Sequence, residues 1–143
     1  MAIELVPLAV ATIGLTPPTM IPNGPHGARI IVEVTSWEME GERIRAKLRG
    51  SAAADWATVT ADGTLLSIDV RATVETHDGA AVFVQYNGRS DVSGGFGTRP
   101  NYIAPRFETG DERYAWLNKI QAVGKGALSA DFSSITYELY ELR

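Results

Sequence analysis

Turn signals constrain this chain most, because they divide it into short segments in which apolar and polar residues alternate. Asp62-Gly63 and Asp78-Gly79 each lie between two such segments, and these dipeptides are typical of β-hairpins. Asn87-Gly88 ends a further segment of this kind. The segment from Leu65 to Thr76 alternates throughout, as a strand with one buried face does. No segment shows the longer period of an amphipathic helix. The pattern therefore predicts an all-β protein.

About eight strands follow from this pattern, the first near Leu5 to Ile13 and the last near Ile135 to Leu142. Tyr114 to Val123 is predicted to be one of them. Short connections between successive strands produce an antiparallel meander, and closure into a barrel removes its two exposed edges. We therefore expect a closed antiparallel up-and-down barrel with a central cavity, in which the first strand pairs with the last. A two-sheet sandwich is the alternative.

Two longer stretches interrupt the strands and are predicted to be irregular. Residues 14–27 are rich in proline and glycine, which excludes a helix there. Residues 90–112 contain the run Gly94-Gly95-Phe96-Gly97. Because this run lacks the strand before it and the helix after it that a phosphate-binding loop needs, we interpret it as a flexible loop.

Composition narrows the function classes. The 143 residues fit one domain spanning 1–143, contain no cysteine and carry a net charge of −4. The densest basic stretch has period two, which places its charges on one solvent-facing side of a strand, and it comprises Arg43, Arg45, Lys47 and Arg49. The apolar run at residues 3–11 is interrupted by Glu4 and Pro7 and is interpreted as a first strand. We expect a cytoplasmic protein that binds neither nucleic acid nor a membrane.

The available side chains favour acid–base chemistry without a metal or cofactor. The two histidines, His26 and His77, lack metal-site spacing, and no nucleophile motif is present. His26 is either a general base or an ordinary exposed loop residue. A partly desolvated Asp55 or Asp69 would serve as a proton acceptor, and an inward-facing Arg71 would hold a carbonyl or carboxylate oxygen.

Which strand faces point inward has two interpretations. In the segment from Leu65 to His77, an apolar row containing Ile68 and Val70 alternates with a polar row containing Asp69 and Arg71. The pattern favours burial of the apolar row. In the inverted arrangement, the polar row lines the cavity and the apolar row packs against a partner subunit.

A second row with period two lies in the predicted strand near residue 114. Tyr114, Trp116 and Asn118 share one face of it. Two aromatic side chains beside an amide would grip a flat organic ligand. Ordinary core packing of the same residues explains the row equally well.

Several segments occur together, in order, over nearly the whole chain: Pro25-His26-Gly27-Ala28-Arg29, Ala54-Asp55-Trp56, Asp69-Val70-Arg71-Ala72-Thr73, Glu75-Thr76-His77-Asp78-Gly79-Ala80, Pro105-Arg106-Phe107-Glu108-Thr109-Gly110, Arg113-Tyr114-Ala115-Trp116-Leu117-Asn118 and Val123-Gly124-Lys125-Gly126. In this they resemble the bacterial and fungal family known as domain of unknown function 3237. The resemblance implies an eight-stranded antiparallel barrel with a central cavity, often dimeric, and it favours the inverted arrangement. It supplies no established activity.

Two departures from the family pattern concern the cavity mouth. The stretch from Ser90 to Ala104 is shorter than the family's usual insertion, and Tyr86-Asn87-Gly88 replaces a more basic pattern.

Together these observations predict a cofactor-free enzyme that performs elimination, isomerisation or cyclisation on an aromatic or polyketide-like molecule. The alternatives are a small-molecule carrier without turnover and a packed barrel that serves only as an interaction module. The expected catalytic residues are Asp55, Arg71 and Asp69. The expected substrate-binding residues are His26, Trp56, Tyr86, Tyr114, Trp116 and Asn118. The expected partners are a small-molecule ligand and a second copy of the chain in a homodimer.

Overall fold

The computed structural model describes residues 1–143, and strands dominate it. The strands are β1 (Leu5–Leu15), β2 (Thr19–Gly24), β3 (Gly27–Glu40), β4 (Arg45–Leu48), β5 (Ala54–Val59), β6 (Leu65–Thr76), β7 (Ala81–Asp91), β8 (Asn101–Ile103), β9 (Arg106–Glu108), β10 (Ala122–Leu128) and β11 (Ser134–Leu142). One 3-10 helix spans Glu112–Lys119. None of the helical structure is long and apolar enough to cross a bilayer.

The predicted closure of the barrel is confirmed. Antiparallel pairing runs continuously through β1, β3, β5, β6, β7, β8, β10 and β11 and returns to β1. The first and last strands pair from Leu5 opposite Leu142 to Gly14 opposite Ser134. The two chain ends continue this ladder, because the amide of Glu4 donates to the carbonyl of Arg143 at 2.7 Å.

Three short strands extend this eight-stranded barrel. β4 lies beside β3 and β6 and prolongs the position of β5, while β9 pairs with β7 below β8. β2 pairs with the start of β3, within the stretch predicted to be an irregular loop. β8 and β9 likewise lie within the stretch 90–112, so both predictions of fully irregular structure are wrong.

β7 continues through Asn87-Gly88, where the sequence pattern predicts the strand to end. Gly88 permits this because a Cβ at that position would lie 2.3 Å from the carbonyl oxygen of Tyr102 on β8. Only a residue without a side chain lets the two strands approach this closely.

The apolar row of β6 faces the interior. Ile68, Val70 and Val74 are at most 3% exposed, whereas Arg71 and Glu75 are exposed. The inverted arrangement implied by the resemblance is therefore wrong for this strand, because burying a charged row without partners costs far more than burying valine and isoleucine. The apolar row thus gives no reason to expect a partner subunit. The homodimer stays a prediction, which sedimentation at micromolar concentration would test.

The 3-10 helix closes one end of the barrel. Asp111 caps its start, with Oδ1 accepting from the amide of Arg113 at 2.9 Å. Tyr114 and Leu117 are buried, and their spacing of three residues matches the period of a 3-10 helix. The prediction of a strand from Tyr114 to Val123 is therefore wrong, since only its last residues belong to β10. The opposite end of the barrel is open.

Candidate functional site

An apolar cavity occupies the open end of the barrel. It has a volume of about 180 Å³, and 16 of its 21 lining residues are hydrophobic. Its walls come from the inward faces of the strands, and its mouth from the loops that join β1 to β2, β7 to β8 and β10 to β11. Asp55 is the single charged residue among those that line it.

Asp55 faces this cavity because of its register in the sheet. It lies opposite Val32 on β3 and Val70 on β6, and directly opposed residues of an antiparallel sheet point to the same side. Its Oδ1 accepts one hydrogen bond, from the amide of Asp69 at 3.0 Å. Burial, together with the nearby charge of Asp69, outweighs this bond and raises the pKa of Asp55 to about 6. The carboxylate can therefore exchange a proton near neutral pH.

Two tyrosines face Asp55 across the interior. Tyr86, on β7, lies opposite Val70 on β6. Its ring meets that of Tyr137 edge-on, with centroids 5.9 Å apart. Burial raises the pKa of both phenols, and the neighbouring charge of Asp55 raises them further. Asn101 Nδ2 donates to the Tyr137 hydroxyl oxygen at 3.4 Å. Both phenols therefore stay protonated at neutral pH and can donate hydrogen bonds to an oxygen that gains charge.

Gly126 determines where the Tyr137 ring lies. The two residues are paired across β10 and β11, and Gly126 is paired on its other side with Asn101. A Cβ on Gly126 would lie 2.4 Å from Cε1 of Tyr137. The ring can therefore lie over the β10 backbone only because position 126 has no side chain.

Trp37 supports the tyrosines from the barrel core. Its ring meets Tyr86 edge-on at 6.2 Å between centroids, and the side chain is 2% exposed. Its indole N–H is buried without a hydrogen-bond partner.

Only two of the residues predicted for the site line this cavity, namely Asp55 and Tyr86. Arg71 is exposed on the outer wall, where its guanidinium carbon lies 5.5 Å from the centre of the Trp56 ring and its Nη2 lies 3.9 Å from Asp69 Oδ2. The prediction that Arg71, Asp69 and Trp56 join Asp55 in one cavity is wrong. Successive side chains of a strand point to opposite sides. Asp55 points inward, so Trp56, the next residue, points outward. Asp69 points outward for the same reason, because it precedes the inward-facing Val70.

The three residues predicted to grip a flat ligand lie at the closed end instead. Tyr114 donates from its hydroxyl to Asp78 Oδ1 at 2.7 Å. Asn118 bonds both the amide and the carbonyl of Thr109, at 2.8 and 2.9 Å. Trp116 lies beneath the guanidinium of Arg43, 4.4 Å from its ring centre. These contacts fasten the 3-10 helix to the barrel, so the residues do not contribute to the cavity.

His26 is exposed in the hairpin between β2 and β3 and does not line the cavity. The prediction that His26 binds a substrate within the cavity is therefore wrong, and His26 is an exposed loop residue. The basic residues Arg43, Lys47 and Arg49 pair with carboxylates at 2.6, 3.9 and 3.4 Å. No group of three or more histidine, aspartate or glutamate side chains is arranged to hold a metal ion.

Sequence reasoning missed four residues of this site. Tyr137 and Asn101 complete its polar group, and Phe96 and Phe132 lie at its mouth. Tyr137 shares one strand face with Ile135 and Leu139, so the pattern marks it as core. The signal available for it was Gly126, which leaves room for a large ring on a neighbouring strand.

Comparison with known proteins agrees with the fold and the resemblance. A family model described as "Protein of unknown function (DUF3237)" matches residues 3–142. A UPF0311 protein of Rhodopseudomonas palustris is 30% identical in an alignment 117 residues long that covers 73% of this chain and 75% of that protein. A β-barrel-like protein of Acinetobacter baumannii is 29% identical, with a TM-score of 0.87 over 100% of this chain and 98% of that chain.

A more distant solved structure shares the fold alone. It is described as an enzyme from Penicillium herquei and is 21% identical, with a TM-score of 0.73 over 99% of this chain and 94% of that chain.

Proposed function

The chain belongs to the DUF3237 family of proteins of unknown function, and we propose that it is a cofactor-free enzyme. Its chemistry would be proton transfer on a small aromatic or polyketide-like molecule held in the barrel. The observation that carries this proposal is the single carboxylate of Asp55, whose pKa is raised to about 6 within an otherwise apolar cavity. A general base works best when its pKa is near the working pH.

In this mechanism Asp55 removes a proton from a carbon next to a carbonyl group. The electron pair of the broken C–H bond moves onto the carbonyl oxygen, which accepts hydrogen bonds from Tyr86 or Tyr137. Asn101 supports Tyr137 as a donor, because its N–H bonds the same phenol oxygen and draws electron density from it.

The enolate then has three outcomes, all of which return the proton from Asp55. Protonation at another carbon is isomerisation, and attack on an electrophilic carbon of the same molecule is cyclisation. Loss of a leaving group that takes up the proton is elimination. A barrel of this fold is described as an enzyme in Penicillium herquei, which is consistent with catalysis in such a scaffold.

Binding without turnover is the second candidate. It is favoured by the lining, in which 16 of 21 residues are hydrophobic, because a carrier needs little more than an apolar cavity.

One set of variants separates the two candidates. A thermal-shift screen of aromatic and polyketide-like carbonyl compounds identifies binders, and each binder is then assayed for turnover. We expect the kcat/KM of the unmodified chain to rise as the pH increases through about 6. Asp55→Asn should keep binding while turnover falls by about 10²- to 10⁴-fold, the usual contribution of a general base.

Asp69→Asn is the matched control, because the Asp69 side chain lies outside the cavity and acts on Asp55 through its charge. The backbone amide of residue 69, which bonds Asp55 Oδ1, is unchanged by this substitution. It should retain turnover and move the rise in kcat/KM to lower pH. If Asp55→Asn changes affinity modestly and no bound compound is converted by the unmodified chain, the carrier function replaces the enzyme.

A further inference from the structure

The cavity mouth carries two aromatic side chains that the proposed chemistry does not use. Phe96 lies in the loop between β7 and β8, and Phe132 in the turn between β10 and β11. Both line the cavity although they are 44% and 53% exposed. A phenylalanine exposed at the mouth of a cavity leaves apolar surface in contact with water, and a bound ligand would cover that surface.

The turn that carries Phe132 is held in one conformation. Phe132 has a φ of 63°, in the left-handed region that a bulky residue adopts only under constraint. The constraint comes from Asp131, whose Oδ1 accepts from the Ser129 hydroxyl and from both the amide and the hydroxyl of Ser133, at 2.7 to 3.1 Å. The backbone of this turn is therefore held in one conformation, and the ring that it carries lines the mouth.

The loop that carries Phe96 contacts the Phe132 ring and is held at Gly95. The Gly95 amide donates to the carbonyl of Val92 at 2.9 Å, and the Gly95 carbonyl accepts from the Thr98 hydroxyl at 2.7 Å. Gly95 and Gly97 flank Phe96 with φ values of 105° and 77°, which glycine adopts at little cost. Gly97 packs against Phe132, since a Cβ there would lie 3.4 Å from the Cε1 atom of that ring. Phe96 therefore lies one residue from the point at which its loop contacts Phe132, and both side chains line the mouth.

We propose that Phe96 and Phe132 form an aromatic clamp that selects ligands with a planar aromatic ring at the end away from Asp55. The rest of the mouth is apolar, with Met20 and Leu128 among its lining residues. Because Asp55 is the only charged lining residue, no cation is available to pair with an anionic ligand, and we expect the ligand to carry no negative charge. The inference rests on the proposed function only in placing the reacting group at Asp55.

A pair of probes of similar size tests the clamp. Calorimetry measures the affinities of 2-naphthol, which is planar, and decahydro-2-naphthol, its saturated counterpart. We expect the unmodified chain to prefer 2-naphthol. Phe96→Leu and Phe132→Leu should each reduce this preference about twofold to tenfold, which is the size of an aromatic contact, while binding of the saturated probe changes little.

Two further variants keep this test decisive. Phe132→Trp retains an aromatic face and should retain the preference, whereas Tyr102→Leu changes an aromatic residue outside the cavity lining and should have no effect. The clamp is overturned if the unmodified chain binds neither probe, shows no preference, or keeps its preference in both leucine variants. The enzyme and the clamp can fail separately. If the unmodified chain converts none of the compounds that it binds, while Asp55→Asn keeps the preference for 2-naphthol, the enzyme is rejected and the clamp is retained.

Discussion

Gly126 lies beneath the ring of Tyr137, on the neighbouring strand of the barrel wall. This pair positions the phenol of Tyr137 that Asn101 bonds. A substitution at residue 126 therefore changes the shape of the cavity, although it replaces no side chain that would touch a ligand. The relationship leads to the first prediction.

Gly126→Ala should displace the Tyr137 ring, because the added methyl group would lie 2.4 Å from its Cε1 atom. We expect a loss of about 1–3 kcal/mol in the free energy of unfolding, as for other overpacked sites, and a change in near-ultraviolet circular dichroism. Urea unfolding measures the first effect. Lys125→Ala, at the adjacent exposed position, should change neither property. An unaltered spectrum for Gly126→Ala would contradict the assigned position of the ring.

Tyr86→Phe and Tyr137→Phe should lower kcat more than they raise KM. Each variant keeps the ring and removes a hydrogen-bond donor that is needed most when charge develops on the substrate oxygen. Loss of one such donor commonly costs about 10²- to 10³-fold in kcat. Steady-state kinetics on a compound from the screen provides the measurement. A higher KM with an unchanged kcat in both variants would assign the phenols to ligand binding instead.

Asp55→Asn should stabilise the protein at pH 7.5. The folded pKa of about 6 exceeds the ordinary value of 3.8, so the folded state binds the proton more tightly than the unfolded state. This group's contribution to stability is therefore present below about pH 4 and is lost as the pH rises through 6. A shift of about two pKa units corresponds to about 3 kcal/mol, which is the largest gain that we expect. Asparagine still accepts the hydrogen bond from the amide of Asp69, so loss of that bond does not reduce the gain.

Urea unfolding at several pH values between 4 and 7.5 follows this gain, which should vanish near pH 4. Asp62→Asn is a control of opposite sign. Hydrogen bonds from Thr60 and Thr64 lower the pKa of Asp62, so its contribution is present above the ordinary value and is lost on acidification. A gain for Asp55→Asn that is the same at every pH would contradict the raised pKa.

Leu117→Ala should destabilise the barrel by about 2–5 kcal/mol without changing which ligands bind. Leu117 is 0% exposed, and truncating a buried leucine leaves a void that its neighbours fill only in part. The residue lies in the 3-10 helix at the closed end, away from the cavity lining. Lys119→Ala, at the exposed end of the same helix, is the control for the unfolding measurement. Altered binding of 2-naphthol by Leu117→Ala would show that the two ends are coupled.

The sequence predicts the barrel well because period-two alternation and turn residues are local signals. The alternation of β6 correctly identifies Ile68 and Val70 as interior, and the apolar character of the first and last strands is consistent with their pairing. The 3-10 helix is harder to recognise, because Tyr114, Trp116 and Asn118 match a strand face as well as they match a helix of so few turns.

The candidate site is only partly predictable for a different reason. The carboxyl group of Asp55 predicts a proton acceptor, but its inward direction depends on its register with Val32 and Val70. The guanidinium of Arg71 predicts an anchor for an oxygen atom, yet it faces outward, since Arg71 lies one residue beyond Val70 on the same strand. Asn101 and Tyr137 meet because both pair with Gly126, and such a contact between distant segments leaves no local pattern.

The hydrogen bond between Glu4 and Arg143 shows where the protein can be extended or immobilised. Both chain ends lie beside each other at the closed end of the barrel, opposite the mouth that carries Phe96 and Phe132. A tag, a linker or a further polypeptide attached to either end would extend away from the mouth. Immobilisation through either end would likewise leave the cavity facing solution, and a short linker between the ends would allow circular permutation without crossing the entrance.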